Sequence, residues 1–200
     1  TAARDGLHRF GAFTRFGAEN TAAGQLALLG LTPADISHVI LSHGHIDHVG
    51  SLPLFDHATI LLTETERADP RPCYFFDKQP MEWPKAQYLT IAGQTPLCEG
   101  ANLIPTPGHT LGHLSAHLTL PDGRQVILAA DAINRISEPD EGFADARDPE
   151  AAMASYHRLA ALVEGPHEGG EVVEWGVTVR GPASCARLAC PLPTVLSAAP

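Results

Sequence analysis

The residues with the clearest chemical potential lie in the stretch Ser-His-Gly-His-Ile-Asp-His-Val-Gly at positions 42–50. It holds three histidines and an aspartate, and imidazole and carboxylate groups are good ligands for zinc. In an extended backbone His43, His45 and Asp47 would project to the same side, whereas His48 would face elsewhere. We therefore expect two neighbouring metals. The first would take His43 and His45. The second would take Asp47 and His48. The alternative interpretation is a histidine-rich surface loop.

The flanking sequence suggests how these side chains are positioned. Val39-Ile40-Leu41 predicts a short buried strand, and Gly50 to Leu54 predicts the start of a helical turn. The histidines would then lie on a loop that leaves the end of a strand. Such loops often carry catalytic groups, because a rigid sheet aims a segment of adaptable shape.

Three motifs give the chain a resemblance to a known family. Residues 43–48 are similar to the H-x-H-x-D-H signature of the metallo-β-lactamase fold superfamily. Residues 106–113 (Thr-Pro-Gly-His-Thr-Leu-Gly-His) look like its second motif, and residues 129–131 (Ala-Ala-Asp) look like its third. The motifs follow the family order and cover most of residues 20–165. Their spacing most resembles the N-acyl homoserine lactonase branch.

The resemblance implies a binuclear centre with two zinc ions, iron or manganese being the alternatives. Its implied ligands are histidines and aspartates, namely His43, His45, Asp47, His48, His109, Asp131 and His167. His109 would complete the first metal, and Asp131 would bridge the two. His113 is expected to support the site. His167 is the candidate for the last ligand because no other histidine follows the final predicted helix, although its surroundings depart from the family pattern.

The resemblance also implies a reaction, in which a zinc-bound hydroxide attacks the carbonyl of a lactone, ester or thioester. An N-acyl homoserine lactone is the leading substrate, and Asp47 would pass a proton to the leaving group. Lactonases of this branch carry a tyrosine three residues after the bridging aspartate. This chain has Asn134 there, which could donate a hydrogen bond of shorter reach. The alternatives are an iron-dependent persulfide dioxygenase-like oxidoreductase of the same fold and an inactive fragment.

The implied fold is a four-layer αββα sandwich of the α/β (α+β) class. Only about forty residues precede His43, so the opening strands are expected to be missing. Residues 1–165 would form the metallo-β-lactamase-like domain. Residues 166–200 would form a divergent C-terminal segment whose Ala- and Pro-rich part predicts no packed core and is compatible with disorder.

Hydrophobic patterns and caps predict the elements around the motifs. Helices are expected over 21–30, over 64–68 and from Pro149 to near Gly165, and strands over 58–63, 88–91, 103–104, 114–120 and 125–130. Residues 70–88 combine four prolines with six aromatic or methionine side chains, which excludes one regular element. This segment is either an apolar lid over the metals or a loop packed on a sheet edge.

The charge and composition of the chain limit the classes of partner that we expect it to bind. The formal net charge of −10 makes nucleic acid a poor partner, since an acidic surface repels phosphates. The sequence contains no run of about 18 apolar residues, so no membrane span is predicted. The four cysteines form no C-x-x-C pair, and we expect reduced thiols in a cytoplasmic protein. The expected partner is a small-molecule carbonyl substrate, and the sequence leaves the oligomeric state open.

Overall fold

The structure is a computed structural model that describes residues 17–69, 73–75, 78–81, 83–163 and 171–173. The chain divides into two compact units between Ile91 and Ala92. No helix within the described ranges is long and apolar enough to cross a membrane.

The first unit contains short helices and two separate groups of strands. Its α-helices are α1 (Ala22–Leu28), α2 (Ile46–Val49) and α3 (Glu64–Ala68). Its strands are β1 (His38–Ile40), β2 (Thr59–Thr63), β3 (Cys73–Phe75), β4 (Lys78–Met81) and β5 (Gln87–Ile91). Short 3-10 helices lie at Ala18–Asn20, Pro33–Asp35 and Leu52–Phe55. Strands β1, β2 and β5 form a parallel sheet with β2 in the middle, and β3 pairs with β4 in antiparallel fashion.

Local chemistry explains these elements. The Thr21 hydroxyl accepts a hydrogen bond from the Gly24 N–H at 3.0 Å, so it caps α1 as the sequence predicts. The predicted strand over 58–63 and helix over 64–68 are also present as β2 and α3. The core of this unit is formed by aliphatic side chains from the sheet and from the segments after β1: Leu41, Val49, Leu52, Ile60 and Leu62. This core supports the loop that carries the first motif.

The β3–β4 pair lies in the proline- and aromatic-rich segment, and the sequence patterns did not predict it. Pro80 falls within β4. A two-stranded ribbon tolerates proline because each strand has an edge that pairs with no neighbour. Whether this segment serves as a lid stays a prediction.

The second unit is built on a larger sheet. Its strands are β6 (Thr95–Cys98), β7 (Ala101–Pro105), β8 (Leu114–Thr119), β9 (Gln125–Leu128) and β10 (Glu171–Val173). They lie in the order β10-β9-β8-β7-β6, with β10 parallel to β9 and the other neighbours antiparallel. The sheet is accompanied by α4 (Pro149–Val163) and a 3-10 turn at Ala130–Ala132.

Helix α4 forms as predicted, and its apolar side closes the core of the second unit. The Asp148 carboxylate accepts the N–H of Ala151 at 3.0 Å and so caps the helix. Leu159 joins a buried cluster with side chains from β7, β9 and the turn after β9, namely Ile104, Ile127, Ala129, Ala132 and Ile133. This packing fixes the ends of β7 and β9, which lead into the second and third motifs.

Three details of the second unit differ from the sequence-based expectations. The strand predicted to reach residue 130 ends at Leu128, because Ala129 already has right-handed helical φ and ψ values and Ala130 has a φ of +49°. Strand β6 was missed because it is short and contains Pro96. Strand β10 lies inside the segment 166–200, so part of that segment pairs with the sheet. The predicted domain limits themselves stay a prediction.

Candidate metal centre

The first motif brings two imidazole rings into direct contact. His43 lies in the loop after β1 and is fully buried, and His45 is the N-cap residue directly before α2. The Nε2 atom of His43 lies 2.8 Å from the Nδ1 atom of His45. Two ring nitrogens at this distance either share one proton in an N–H···N bond or direct their lone pairs at one cation. The second arrangement is that of two metal ligands.

Asp47 and His48 form a second pair on the same loop. Their backbone is helical, because Ile46–Val49 forms α2. The expectation that an extended chain sets the direction of Asp47 and His48 is therefore wrong, since that phase ends at His45. The Oδ2 atom of Asp47 lies 3.6 Å from the Nε2 atom of His48. The Asp47 side chain is 63% exposed and that of His48 only 10%, so the carboxylate is accessible to small molecules.

Ser42 links the two pairs, a role that the sequence analysis did not assign. Its Oγ lies 3.1 Å from the Nδ1 of His43 and 3.3 Å from the Nδ1 of His48. Contacts to one ring nitrogen orient an imidazole and fix which nitrogen is left to bind a metal. Here they would direct the Nε2 atoms of His43 and His48 outward from the serine. A hydroxyl next to the histidines was the only sequence signal for this function.

The second unit carries its own candidate pair. His109 lies on the loop after β7, and Asp131 lies in the 3-10 turn after β9. The His109 Nε2 is 3.2 Å from the Asp131 Oδ2, and the two side chains are 17% and 14% exposed. Imidazole and carboxylate atoms this close, and only partly exposed, are a suitable donor pair for a divalent metal.

A buried hydrogen-bond network supports this pair. The Thr106 hydroxyl lies 2.8 Å from the His113 Nδ1 and 2.8 Å from the Ser115 hydroxyl. The Ser115 hydroxyl in turn donates to the carbonyl oxygen of Ala129 at 3.0 Å. The network therefore runs from the end of β7, through β8, to the residue two places before Asp131. His113 is fully buried within this network, and its expected role in supporting a metal site stays a prediction.

Helix α4 holds the other side of the His109 loop. The Ser155 hydroxyl donates to the carbonyl oxygen of Pro107 at 2.7 Å, and the Asp148 N–H donates to that of Gly108 at 3.0 Å. Gly108 has a φ of +143°, and a Cβ there would overlap the backbone of Ala152. Only glycine suits both the conformation and the close approach. The loop that presents His109 is therefore fixed by direct contact with the helix.

Asn134 is exposed, and its side chain is engaged within its own segment. Its Nδ2 donates to the Oε1 of Glu138 at 3.3 Å and to the carbonyl oxygen of Asp131 at 3.4 Å. Its backbone N–H donates to the Oε2 of Glu138 at 2.6 Å. The buried Glu138 carboxylate, which the sequence analysis did not single out, thus anchors the turn after Asp131. The catalytic role of Asn134 stays a prediction, and His167 lies outside the described residues.

Surface ion pairs follow the same turn. Arg135 bonds to Glu141 and lies 3.2 Å from Asp145. The hydrogen bond to Glu141 raises the pKa of Arg135, and the same bond lowers the pKa of Glu141. Arg135 and Glu141 therefore remain charged, and their ion pair connects two exposed parts of the segment after Asp131.

Comparison with known proteins identifies the family. Residues 11–168 match the metallo-beta-lactamase superfamily. The chain is 33% identical over 146 residues to an N-acyl homoserine lactonase of Bacillus thuringiensis, which covers 70% of this chain and 56% of that protein. It is 32% identical over 127 residues to metallo-beta-lactamase domain-containing protein 1 of Xenopus laevis, covering 60% of this chain and 48% of that protein. The chain thus spans about half the length of these relatives.

Solved structures agree with the sequence match. The chain resembles a structure of N-acyl homoserine lactone hydrolase that has the product N-hexanoyl-L-homoserine bound at its catalytic metal centre. The TM-score is 0.68 at 28% identity, with 80% of this chain and 63% of that chain covered. A dizinc quorum-quenching lactonase matches at a TM-score of 0.55 and 22% identity, with 76% and 60% covered, which supports the fold alone. The chain therefore belongs to the metallo-β-lactamase superfamily and has its mixed helix-and-sheet fold.

Proposed function

We propose that this protein is a metal-dependent hydrolase that opens N-acyl homoserine lactones. The observation that carries the proposal is the contact between His43 and His45, whose Nε2 and Nδ1 atoms lie 2.8 Å apart on a loop of the family signature. The lactonases among the relatives support the substrate class. Esters and thioesters share the same reacting carbonyl and are the wider set of substrates that this chemistry admits.

The described donor pairs suit a divalent metal, because they consist of imidazole nitrogens and carboxylate oxygens with partly buried surroundings. In the proposed centre His43, His45 and His109 would hold one zinc ion. Asp47 and His48, together with His167, would hold the other. Asp131 would contribute to both. This joint arrangement of ligands from the two units rests on the order of the family motifs, and a dizinc lactonase with this fold is a precedent.

When bound, the two metals would supply Lewis acidity and a water nucleophile activated near neutral pH. The net reaction adds one water to the lactone. A bond forms between the water oxygen and the carbonyl carbon, and the ring C–O bond breaks to leave a carboxylate and an alcohol. One proton of the water ends on the alcohol oxygen, and the other is released to solvent as the new carboxyl group ionises. Asp47 is proposed to take up the proton of the water and to give it to the departing alkoxide, a transfer that its exposed carboxylate can make.

Asn134 is proposed to assist the substrate. Its amide could donate to the carbonyl or ring oxygen only after exchanging its present partner Glu138 for the substrate, since the Nδ2 donates to the Glu138 carboxylate at 3.3 Å. In this proposal the side chain at position 134 determines how firmly the substrate oxygen is held by a hydrogen bond. We also propose that the protein is located in the cytoplasm, because its four cysteines form no C-x-x-C pair and are expected to be reduced thiols.

The test is lactone opening by the purified, metal-analysed protein. N-hexanoyl homoserine lactone is incubated with zinc-loaded protein, and the ring-opened product is measured by mass spectrometry. We expect turnover that stops after treatment with a chelator and returns with zinc. The His109→Ala variant should lack activity, whereas the exposed His157→Gln variant on α4 should retain it.

Two results would overturn the proposal. Protein with two equivalents of zinc that leaves lactones, esters and thioesters intact would exclude a hydrolase. Protein isolated with one iron per chain that consumes oxygen with a persulfide substrate would instead support the dioxygenase-like alternative.

A further inference from the structure

A buried carboxylate stands directly behind the first motif. Glu66 is only 3% exposed, and its Oε1 accepts the backbone N–H of Gly44 at 2.7 Å. Gly44 lies between His43 and His45, and the hydrogen bond joins residues 22 positions apart in the chain. The bond is at the short end of the range for an N–H···O contact and is shielded from water, so it fixes the peptide that connects the two histidines.

The carboxylate is itself held in place by the sheet that delivers the motif. Glu66 is the third residue of α3, and its N–H donates to the hydroxyl of Thr63 at 3.1 Å. Thr63 ends β2, which pairs with β1, and β1 leads into the histidine loop. Leu41, directly after β1, donates its N–H to the carbonyl oxygen of Leu61 at 2.8 Å. The two ends of the Glu66–Gly44 bond are therefore anchored on adjacent strands.

This geometry matters because Gly44 sets the relation between the two rings. His45, which follows Gly44, is extended, and α2 begins directly after it at Ile46. A rotation of the Gly44 peptide would change the direction of both side chains and separate the nitrogens that now lie 2.8 Å apart. Gly44 is buried, so bulk water could not replace the carboxylate as the acceptor for its N–H if the Glu66 bond were lost.

We propose that Glu66 is a positioning residue for the metal centre, which through the Gly44 N–H holds His43 and His45 in the orientation that binds one cation. This inference rests on the proposed function, because it assumes that the two histidines are ligands. Glu66 would act on metal affinity rather than on the bond-breaking step. The effect of changing it should therefore appear in binding before it appears in turnover of fully loaded enzyme.

Three variants of the full chain separate positioning from general stability. Glu66→Ala removes the acceptor, and Glu66→Gln keeps an acceptor oxygen of the same reach without the charge. Glu64→Ala is the matched control, since it removes an exposed acidic side chain from the same helix and leaves the Glu66 carboxylate and its partners in place. For each protein, zinc affinity is measured by competition with a chromophoric chelator. The Gly44 amide is followed by NMR and hydrogen exchange in the metal-free state.

We expect Glu66→Ala to lower zinc affinity by about tenfold or more, as is usual when a partner behind a metal ligand is lost. Glu66→Gln should retain most of the affinity, and Glu64→Ala should stay close to the parent protein. The Gly44 amide should lose its downfield shift and its exchange protection in Glu66→Ala alone. Cobalt-substituted Glu66→Ala should also show an altered absorption spectrum.

The possible outcomes separate the proposed function from the role of Glu66. A parent protein that binds no zinc overturns the proposed function and the inference with it. A parent protein that binds zinc while Glu66→Ala binds equally well overturns only the role of Glu66. Equal losses in Glu66→Ala and Glu64→Ala would also overturn it, because they would indicate a general effect of removing an acidic side chain from α3. If Glu66→Ala fails to fold, Glu66→Gln decides the question. Zinc binding that is tenfold weaker in Glu66→Gln, with the Gly44 amide signal unchanged, would contradict positioning through that hydrogen bond.

Discussion

The Nε2 of His109 lies 3.2 Å from the Oδ2 of Asp131, although strands β8 and β9 separate the two residues in the chain. The contact is possible because β7, β8 and β9 are neighbours in one sheet, and the connection through Thr106, Ser115 and Ala129 links their ends. The second and third motifs are therefore brought together by ordinary sheet pairing.

This relationship makes Asp131 a sensitive test of the proposed centre. Asp131→Asn keeps the size of the side chain but removes the charge that would be shared between two cations. We expect the bound zinc to fall from two equivalents towards one, with a loss of zinc affinity of at least about tenfold. Elemental analysis of purified protein after dialysis measures the change. Two tightly held equivalents in the variant would contradict the bridging assignment.

Asp47 is expected to matter for turnover much more than for folding. Its side chain is 63% exposed, so replacement by Asn should change the free energy of unfolding by only about 0.5 kcal/mol. The loss of a proton acceptor should lower kcat on the order of 100-fold or more. Asp56→Asn is the matched control, since Asp56 is exposed and lies 3.7 Å from a histidine, His57, outside the motif. Equal kcat values for the parent protein and Asp47→Asn would refute the assignment.

Gly108 is expected to be essential for the shape of the His109 loop. Its φ of +143° disfavours any side chain, and a Cβ would overlap the backbone of Ala152. Gly123→Ala is a control for conformation alone, because Gly123 has a φ of +87° and nothing lies within 4 Å of a Cβ there. We expect Gly123→Ala to cost about 1 kcal/mol and Gly108→Ala on the order of 3 kcal/mol. Denaturant unfolding curves measure both, and equal costs would show that the contact with α4 is unimportant.

Much of this architecture could be predicted from sequence because its signals are local. The spacing of the histidines identified the first motif, and the caps Thr21 and Asp148 identified two helices. The contact between Glu66 and Gly44 could not be predicted, since it depends on which strands are adjacent. The positive φ of Ala130 was equally hidden, because alanine usually continues a strand or helix and gives no turn signal.

The direction of Asp47 and His48 shows why even a correct motif leaves geometry open. An extended backbone and a helical turn place alternate residues differently, and the sequence Ile-Asp-His-Val is compatible with both. The structure adopts the helix, so the two side chains are neighbours on one turn instead of opposed across a strand. Tertiary packing of Val49 and Leu52 in the core of the first unit favours that choice.

The last prediction concerns the affinity of the second metal. The described residues proposed for it are Asp47 and His48, with a share of Asp131, whereas the first metal would have three histidines as well as that share. Zinc in proteins usually has three or four protein ligands, so fewer donors should weaken binding. Calorimetric titration of metal-free protein should therefore resolve one tight and one weaker site. Two equal, tight sites would contradict this expectation, and a selective weakening of one of them in His167→Ala would identify His167 as the ligand that completes it.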